Sequence, residues 1–127
     1  MPTNIPPKCK LTKWQKQSLQ AEADKFVAEF YRPTLQPPPP NPLGNYIVGF
    51  STRWRGAYLH FIATYACSGS NALYPCFDTP FARLGYFAPD SWNIWARRHN
   101  DEWMVIDQRL TLPQCFAEMR TNPWFQF

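Results

Sequence analysis

Apolar residues recur at helical spacing early in this chain. Leu19, Ala23, Phe26, Val27 and Phe30 fall at i, i+4, i+7, i+8 and i+11, a single stripe on one helix. The run Thr12-Lys13-Trp14-Gln15 has the spacing of a capping box, so the helix is expected to start there. Trp14 lies to the side of the stripe. Arg32-Pro33 closes the helix, because the residue before a proline is pushed out of the helical region. Residues 33–42 then carry six prolines, including the run Pro37 to Pro40. This stretch reads as a stiff polyproline strap over 33–44 that leads from helix to sheet, or as a ligand for a proline-recognising domain.

From residue 45 the period changes from helix to strand. Tyr46, Val48 and Phe50 alternate with Ile47 and Gly49. Ser51-Thr52-Arg53-Trp54-Arg55-Gly56 reads as a polar link. Residues 57–65 alternate again, with Leu59, Phe61, Ala63 and Tyr65 on one face and Tyr58, His60, Ile62 and Thr64 on the other. The pair predicts an antiparallel hairpin. Residues 66–80 read as the longest irregular region. Phe81 to Phe87, Trp92 to Arg98 and Trp103 to Asp107 predict three more strands, separated by Ala88-Pro89-Asp90 and Asn100-Asp101. Thr111-Leu112-Pro113-Gln114 repeats the capping-box spacing and predicts a short helix presenting Leu112, Cys115, Phe116 and Met119. Asn122-Pro123 ends it, and the aromatic tail Trp124-Phe125-Gln126-Phe127 is expected to dock on the domain.

The expected architecture is therefore α+β. An N-terminal helix and a Pro-rich strap precede a five-stranded antiparallel meander, and a short C-terminal helix packs on one face. Residues 1–11 read as a basic extended arm and 12–127 as a single domain.

Composition sharpens this picture in two places. Aromatic residues make up 17% of the 127 positions, which argues strongly against intrinsic disorder. The formal net charge is +4, yet residues 1–16 hold Lys8, Lys10, Lys13 and Lys16 and no acid, so the rest of the chain is balanced. The high isoelectric point describes an arm on a neutral body. Such an arm suits phosphate or an acidic surface, or simply keeps an aromatic-rich domain in solution. No apolar run is long enough to span a membrane, and no apolar segment follows the first lysines as in a secretory signal. A cytoplasmic location is the expectation.

Catalytic and metal patterns are sparse. Cys9, Cys67, Cys76 and Cys115 form no CxxC pair, and His60 and His99 complete no zinc pattern, so neither metal nor cofactor is expected. Cys115 reads as a core thiol. Cys67 and Cys76 bracket the irregular region. His60 could act as a general base with Asp78 or Cys67, a small-hydrolase reading that needs those groups within reach. Asp101-Glu102 and Asp107 lack the accompanying lysine of a metal-dependent nuclease, since every lysine lies at or before residue 25. Glycine-rich phosphate loops are absent.

What remains is aromatic side chains interleaved with arginines. Arg53, Trp54 and Arg55 sit in the expected link, and Trp95, Arg97, Arg98 and Trp103 on or beside adjacent strands. The stretch Trp92-Asn93-Ile94-Trp95, then Arg97 and Trp103, then a helix with Phe116, then Asn122-Pro123-Trp124 and a terminal phenylalanine, resembles the ending of a small bacterial family, domain of unknown function 3024. Its members also begin with a helix and continue through an extended segment with a basic, aromatic link like Arg53-Trp54-Arg55. The resemblance is specific over residues 83–127. It implies a small stand-alone bacterial domain and brings no established activity.

The expected function is binding. The leading expectation is a non-catalytic protein-interaction module, an adaptor, inhibitor or subunit that meets a protein partner or a second copy through an aromatic and arginine surface. The alternative is nucleic-acid binding, with Lys8, Lys10, Lys13, Lys16, Arg53 and Arg55 on phosphates and Trp54, Trp95 or Trp103 stacking on bases.

Overall fold

Thr12 caps the first helix as its spacing to Gln15 predicts. The Gln15 N–H donates to the Thr12 hydroxyl at 3.2 Å, and the Thr12 N–H donates to the Gln15 side-chain oxygen at 2.8 Å. In this computed structural model, which describes residues 11–36, 45–67, 76–98 and 100–127, helix α1 spans Lys13–Phe26. It continues as one π-helical turn, Val27–Tyr31, and a 3-10 turn, Arg32–Thr34, that contains the closing proline. The Arg32 N–H bonds to the Val27 carbonyl, the wider spacing of a π turn. That extra residue per turn swings Tyr31 beneath Phe26, so Tyr31 is buried and Phe30 only partly so.

The sheet comprises β1 (Asn45–Arg55), β2 (Tyr58–Cys67), β3 (Cys76–Ala88), β4 (Ser91–Arg97) and β5 (Trp103–Leu110), paired in chain order and all antiparallel. Helix α2 (Leu112–Thr121) follows, with the same reciprocal cap between Thr111 and Gln114. Both helices lie on one face, as an α+β plan requires. Phe26 of α1 stacks on Phe116 of α2 at 4.5 Å, over a core of Leu59, Phe61, Leu84, Trp92 and Ile94. The tail docks as expected. Phe125 is buried, its carbonyl accepts from the Tyr31 hydroxyl at 3.1 Å, and the Phe127 ring meets Phe81 at 4.8 Å.

Three expectations are corrected. The polar link is strand: β1 runs through Arg55, and only Gly56 and Ala57 turn the hairpin, with Gly56 at φ +60°. Residues 66–67 and 76–80, expected to be irregular, are strand, because β2 runs to Cys67 and β3 begins at Cys76. The simple alternation of β1 is broken by a bulge at Val48, so Ile47 and Phe50 both face the core. A second bulge sits in β3. Pro80 faces Ile62 and Ala82 faces Phe61, so Phe81 is the extra residue. Phe81 and Ala82 both enter the core, and Arg83 is thereby turned to the opposite face. The arm with Lys8, Cys9 and Lys10, the Pro37–Pro40 run, the stretch 68–75, His99 and the Cys67 side chain lie outside the described residues. Among the described residues no helix is long and apolar enough to cross a membrane.

Candidate binding face

The face of the sheet without helices carries the candidate site. Cross-strand register places Arg53, His60, Arg83 and Trp95 side by side across β1 to β4. The flanking rows hold Arg55 opposite Tyr58 opposite Gly85, and Arg97 opposite Trp103. Strand alternation sends every one of these side chains away from the helices.

Arg83 is the centre. Its guanidinium carbon lies 4.3 Å from the ring centre of Tyr58, 4.7 Å from that of Trp103 and 4.8 Å from that of Trp95. Attraction between a cation and an aromatic face holds this arrangement. Trp95 lies on Gly85, and the Tyr58 ring stands edge-on to it at 5.4 Å. The Trp103 ring stands edge-on to His60 at 5.4 Å, although two strands separate β2 from β5. Side chains from the outer strands thus converge over the middle of the sheet. That convergence buries Trp95 and His60 on a face that no helix covers.

Electrostatics on this face is one-sided. Arg53 reaches Asp78 at 3.7 Å, and Asp78 also accepts from the Thr64 hydroxyl at 2.7 Å. Arg97 pairs with Asp101 at 3.1 Å. Among the described residues, no carboxylate lies within ion-pair distance of Arg55 or Arg83. Burial pulls the Arg83 guanidinium below its ordinary pKa, opposed by Tyr58. Burial first, then Arg83, Arg55 and Arg97, lowers the His60 imidazole to about 4, so it is neutral at pH 7. His60 Nδ1, Arg83 Nε and Arg97 Nε are buried without a hydrogen-bond partner among the described residues. The cluster is rich in donors and short of acceptors.

The structure divides the residues that the sequence singled out. Arg53, Arg55, Trp95, Arg97 and Trp103 share the helix-free face. Trp54 does not. It points to the helices and donates from its indole to the Lys16 carbonyl at 3.0 Å. Lys16 is itself engaged, 5.1 Å above the Trp54 ring and bonded to the Gly56 carbonyl at 3.0 Å. Lys13 is exposed on the first turn of α1, and Arg98 is exposed beyond the end of β4. Trp95 is 1% exposed and offers no ring face for stacking, a correction to the expected role. The freely exposed indole is Trp14, at 79%, followed by Trp124 at 48%.

Sequence reading missed the centre of the cluster. Arg83 was hidden by the β3 bulge, since simple alternation groups it with Phe81. One signal was available: a lone arginine between Ala82 and Leu84 in the middle of a strand needs an unusual environment. Tyr58 carried no signal beyond its alternation. His60 has arginines around it, with Trp103 against its ring. Asp78 sits opposite Thr64, four positions along β2 from His60, or ~13 Å at the rise of a strand. Among the described residues no group of His, Cys, Asp and Glu could hold a metal ion.

Residues 11–127 match a family model, the domain of unknown function DUF3024. No curated protein and no solved structure matches the chain. The match takes in the first helix and β1 as well as the C-terminal half. The chain belongs to this family.

Proposed function

We propose that this member of the DUF3024 family is a protein-interaction module that docks the helix-free face of its sheet on an acidic surface of a partner protein. One observation carries the reading: the Arg83 guanidinium is half-buried against three aromatic rings, with no carboxylate upon it among the described residues. Among the described residues every cation on this face is an arginine. Guanidinium groups are planar, weakly hydrated and suited to bidentate pairing, and arginine, tyrosine and tryptophan supply much of the energy at protein interfaces. The nucleic-acid alternative loses part of its basis, because Trp95 is covered and Trp54 faces the helices. Phosphate attraction remains to it, with Trp103 left on this face of the three indoles expected to stack. A hydrolase built on His60 draws no support from a neutral imidazole surrounded by arginines. An exposed free thiol at Cys76 suits a reducing compartment, which supports a cytoplasmic setting.

The test is a nuclear magnetic resonance titration of the full chain with a short polyglutamate peptide and, separately, with mixed-sequence single-stranded DNA. The peptide should move the side-chain signals of Arg55, Arg83 and Trp103, with an affinity that falls as salt is raised. Preferential binding of the DNA, or shifts confined to α1 and α2, would replace this reading.

A further inference from the structure

Resting on that reading, we propose that Arg83 is a seat for one carboxylate, an aspartate or glutamate side chain of the partner, entering beside the Tyr58 and Trp103 rings. Among the described residues the face holds four arginines in this region, Arg53, Arg55, Arg83 and Arg97, and two carboxylates paired with them, Asp78 and Asp101. Each acid is taken up by one arginine, which leaves Arg55 and Arg83 over. Of these two, Arg83 is held by three rings, so its planar fork is fixed in orientation before any ligand arrives. A fixed fork loses little side-chain entropy on pairing and prefers a planar, bidentate acceptor.

The surroundings point the same way. Among the described residues two guanidinium donors lie unpartnered within the cluster, Arg83 Nε of β3 and Arg97 Nε of β4, beside the unpartnered ring nitrogen His60 Nδ1 of β2. An incoming oxyanion supplies the negative charge that these elements lack. The charged groups that face His60 are Arg55 and the Asp78-paired Arg53 from β1, Arg83 from β3 and Arg97 from β4, while β5 contributes the uncharged Trp103. A carboxylate placed on Arg83 offsets the field of these arginines at the imidazole.

The experiment uses the full chain and the polyglutamate peptide, with Arg83→Lys and, as a charge control on α1, Lys25→Gln. Arg83→Lys keeps the charge but removes the planar fork. Its affinity for the peptide should drop about tenfold, while Lys25→Gln should change it less than about twofold. Equal affinity in Arg83→Lys and wild type overturns the seat and leaves the acidic-partner reading standing, because the face then binds by net field. Absence of peptide binding to the wild type overturns both. Glutarate and inorganic phosphate, compared at equal ionic strength, separate the two oxyanions, and stronger competition by phosphate overturns the carboxylate assignment. A second measurement needs no variant. Saturating glutarate at pH 7, where its carboxyls are ionised, should shift the carbon-bound proton signals of the wild-type His60 ring. Unmoved His60 signals overturn the seat.

Discussion

Replacing Gly85 by alanine tests how tightly the Arg83 cluster is built. A Cβ at this position lies 2.9 Å from Trp95 Cζ3, 3.1 Å from Trp95 Cη2 and 3.2 Å from Tyr58 Cε1. Ordinary contact begins near 3.4 Å, so the indole must retreat by about half an ångström. Trp95 is 1% exposed, with Arg83 stacked above it, and has nowhere to retreat without disturbing that stack. Overpacking of this kind costs about 1–3 kcal/mol. The loss of glycine freedom in the unfolded chain returns about 0.4–1 kcal/mol. The net expectation is a destabilisation of about 1–2 kcal/mol, or a fall in melting temperature of roughly 4–8 °C. Gly49→Ala provides the internal reference. Among the described residues its Cβ meets only Thr64 Cβ, at 3.9 Å, so it keeps the unfolded-state gain without the clash. Urea unfolding followed by tryptophan fluorescence measures both. Equal stability of Gly85→Ala and Gly49→Ala would refute the claim that Trp95 is seated on a bare backbone.

Three further outcomes follow from particular contacts. Tyr31→Phe removes a buried hydroxyl and strands the Phe125 carbonyl, so it should cost about 1–2 kcal/mol in urea unfolding. Burial, with Asp107 and Glu118 nearby, pushes the Cys115 thiol up to about 12, so peptide mapping after brief alkylation at neutral pH should find Cys76 modified and Cys115 intact. His60 is held near 4 against 6.5 in an unfolded chain. The unfolded state therefore takes a proton that the folded state refuses, and stability should decline as pH falls below about 6.5 and level off near 4, by about 3 kcal/mol in all. His60→Gln should flatten that slope in pH-dependent unfolding.

Local chemistry was the legible part of the sequence. Thr12 with Gln15, and Thr111 with Gln114, marked both helix starts, because a capping box is satisfied within four residues. The five strands and their order were legible from alternation and turn residues. What failed were the points where one residue shifts the register. The π turn at Val27–Tyr31 exchanges Phe30 for Tyr31 in the core, and nothing local to Ala28 or Glu29 announces it. The bulges at Val48 and Phe81 each reverse which face the following residues occupy, and they are set by packing against neighbouring strands. Ser51 to Arg55 looked too polar for a strand. In the fold Thr52 bonds to Gln20 and Asp24 of α1 while Arg53 and Arg55 face away, so each polar side chain has a destination that only the tertiary structure supplies. The binding residues were half legible for the same reason. Trp103, Arg53, Arg55 and Arg97 could be named from composition and alternation, whereas Arg83 needed the bulge.

Arg83 covers Trp95 as well as facing solvent, and these two roles can be separated. Attraction to each ring is worth about 0.5–2 kcal/mol, against the desolvation of a cation that lacks a carboxylate among the described residues. Burial lowers the Arg83 pKa, so desolvation works against the charged form at this position. Methionine has nearly the length of arginine and no charge. Arg83→Met should therefore keep Trp95 covered and leave the chain as stable as wild type or more so, by up to ~1 kcal/mol, while it abolishes binding of polyglutamate. Arg83→Ala uncovers the indole and should cost about 1–3 kcal/mol. Parallel urea unfolding and peptide titration of the two variants decides the matter. If Arg83→Met is destabilised as much as Arg83→Ala, the guanidinium charge is itself holding the rings together, and Arg83 is a clamp within the fold rather than a group held ready for an acid.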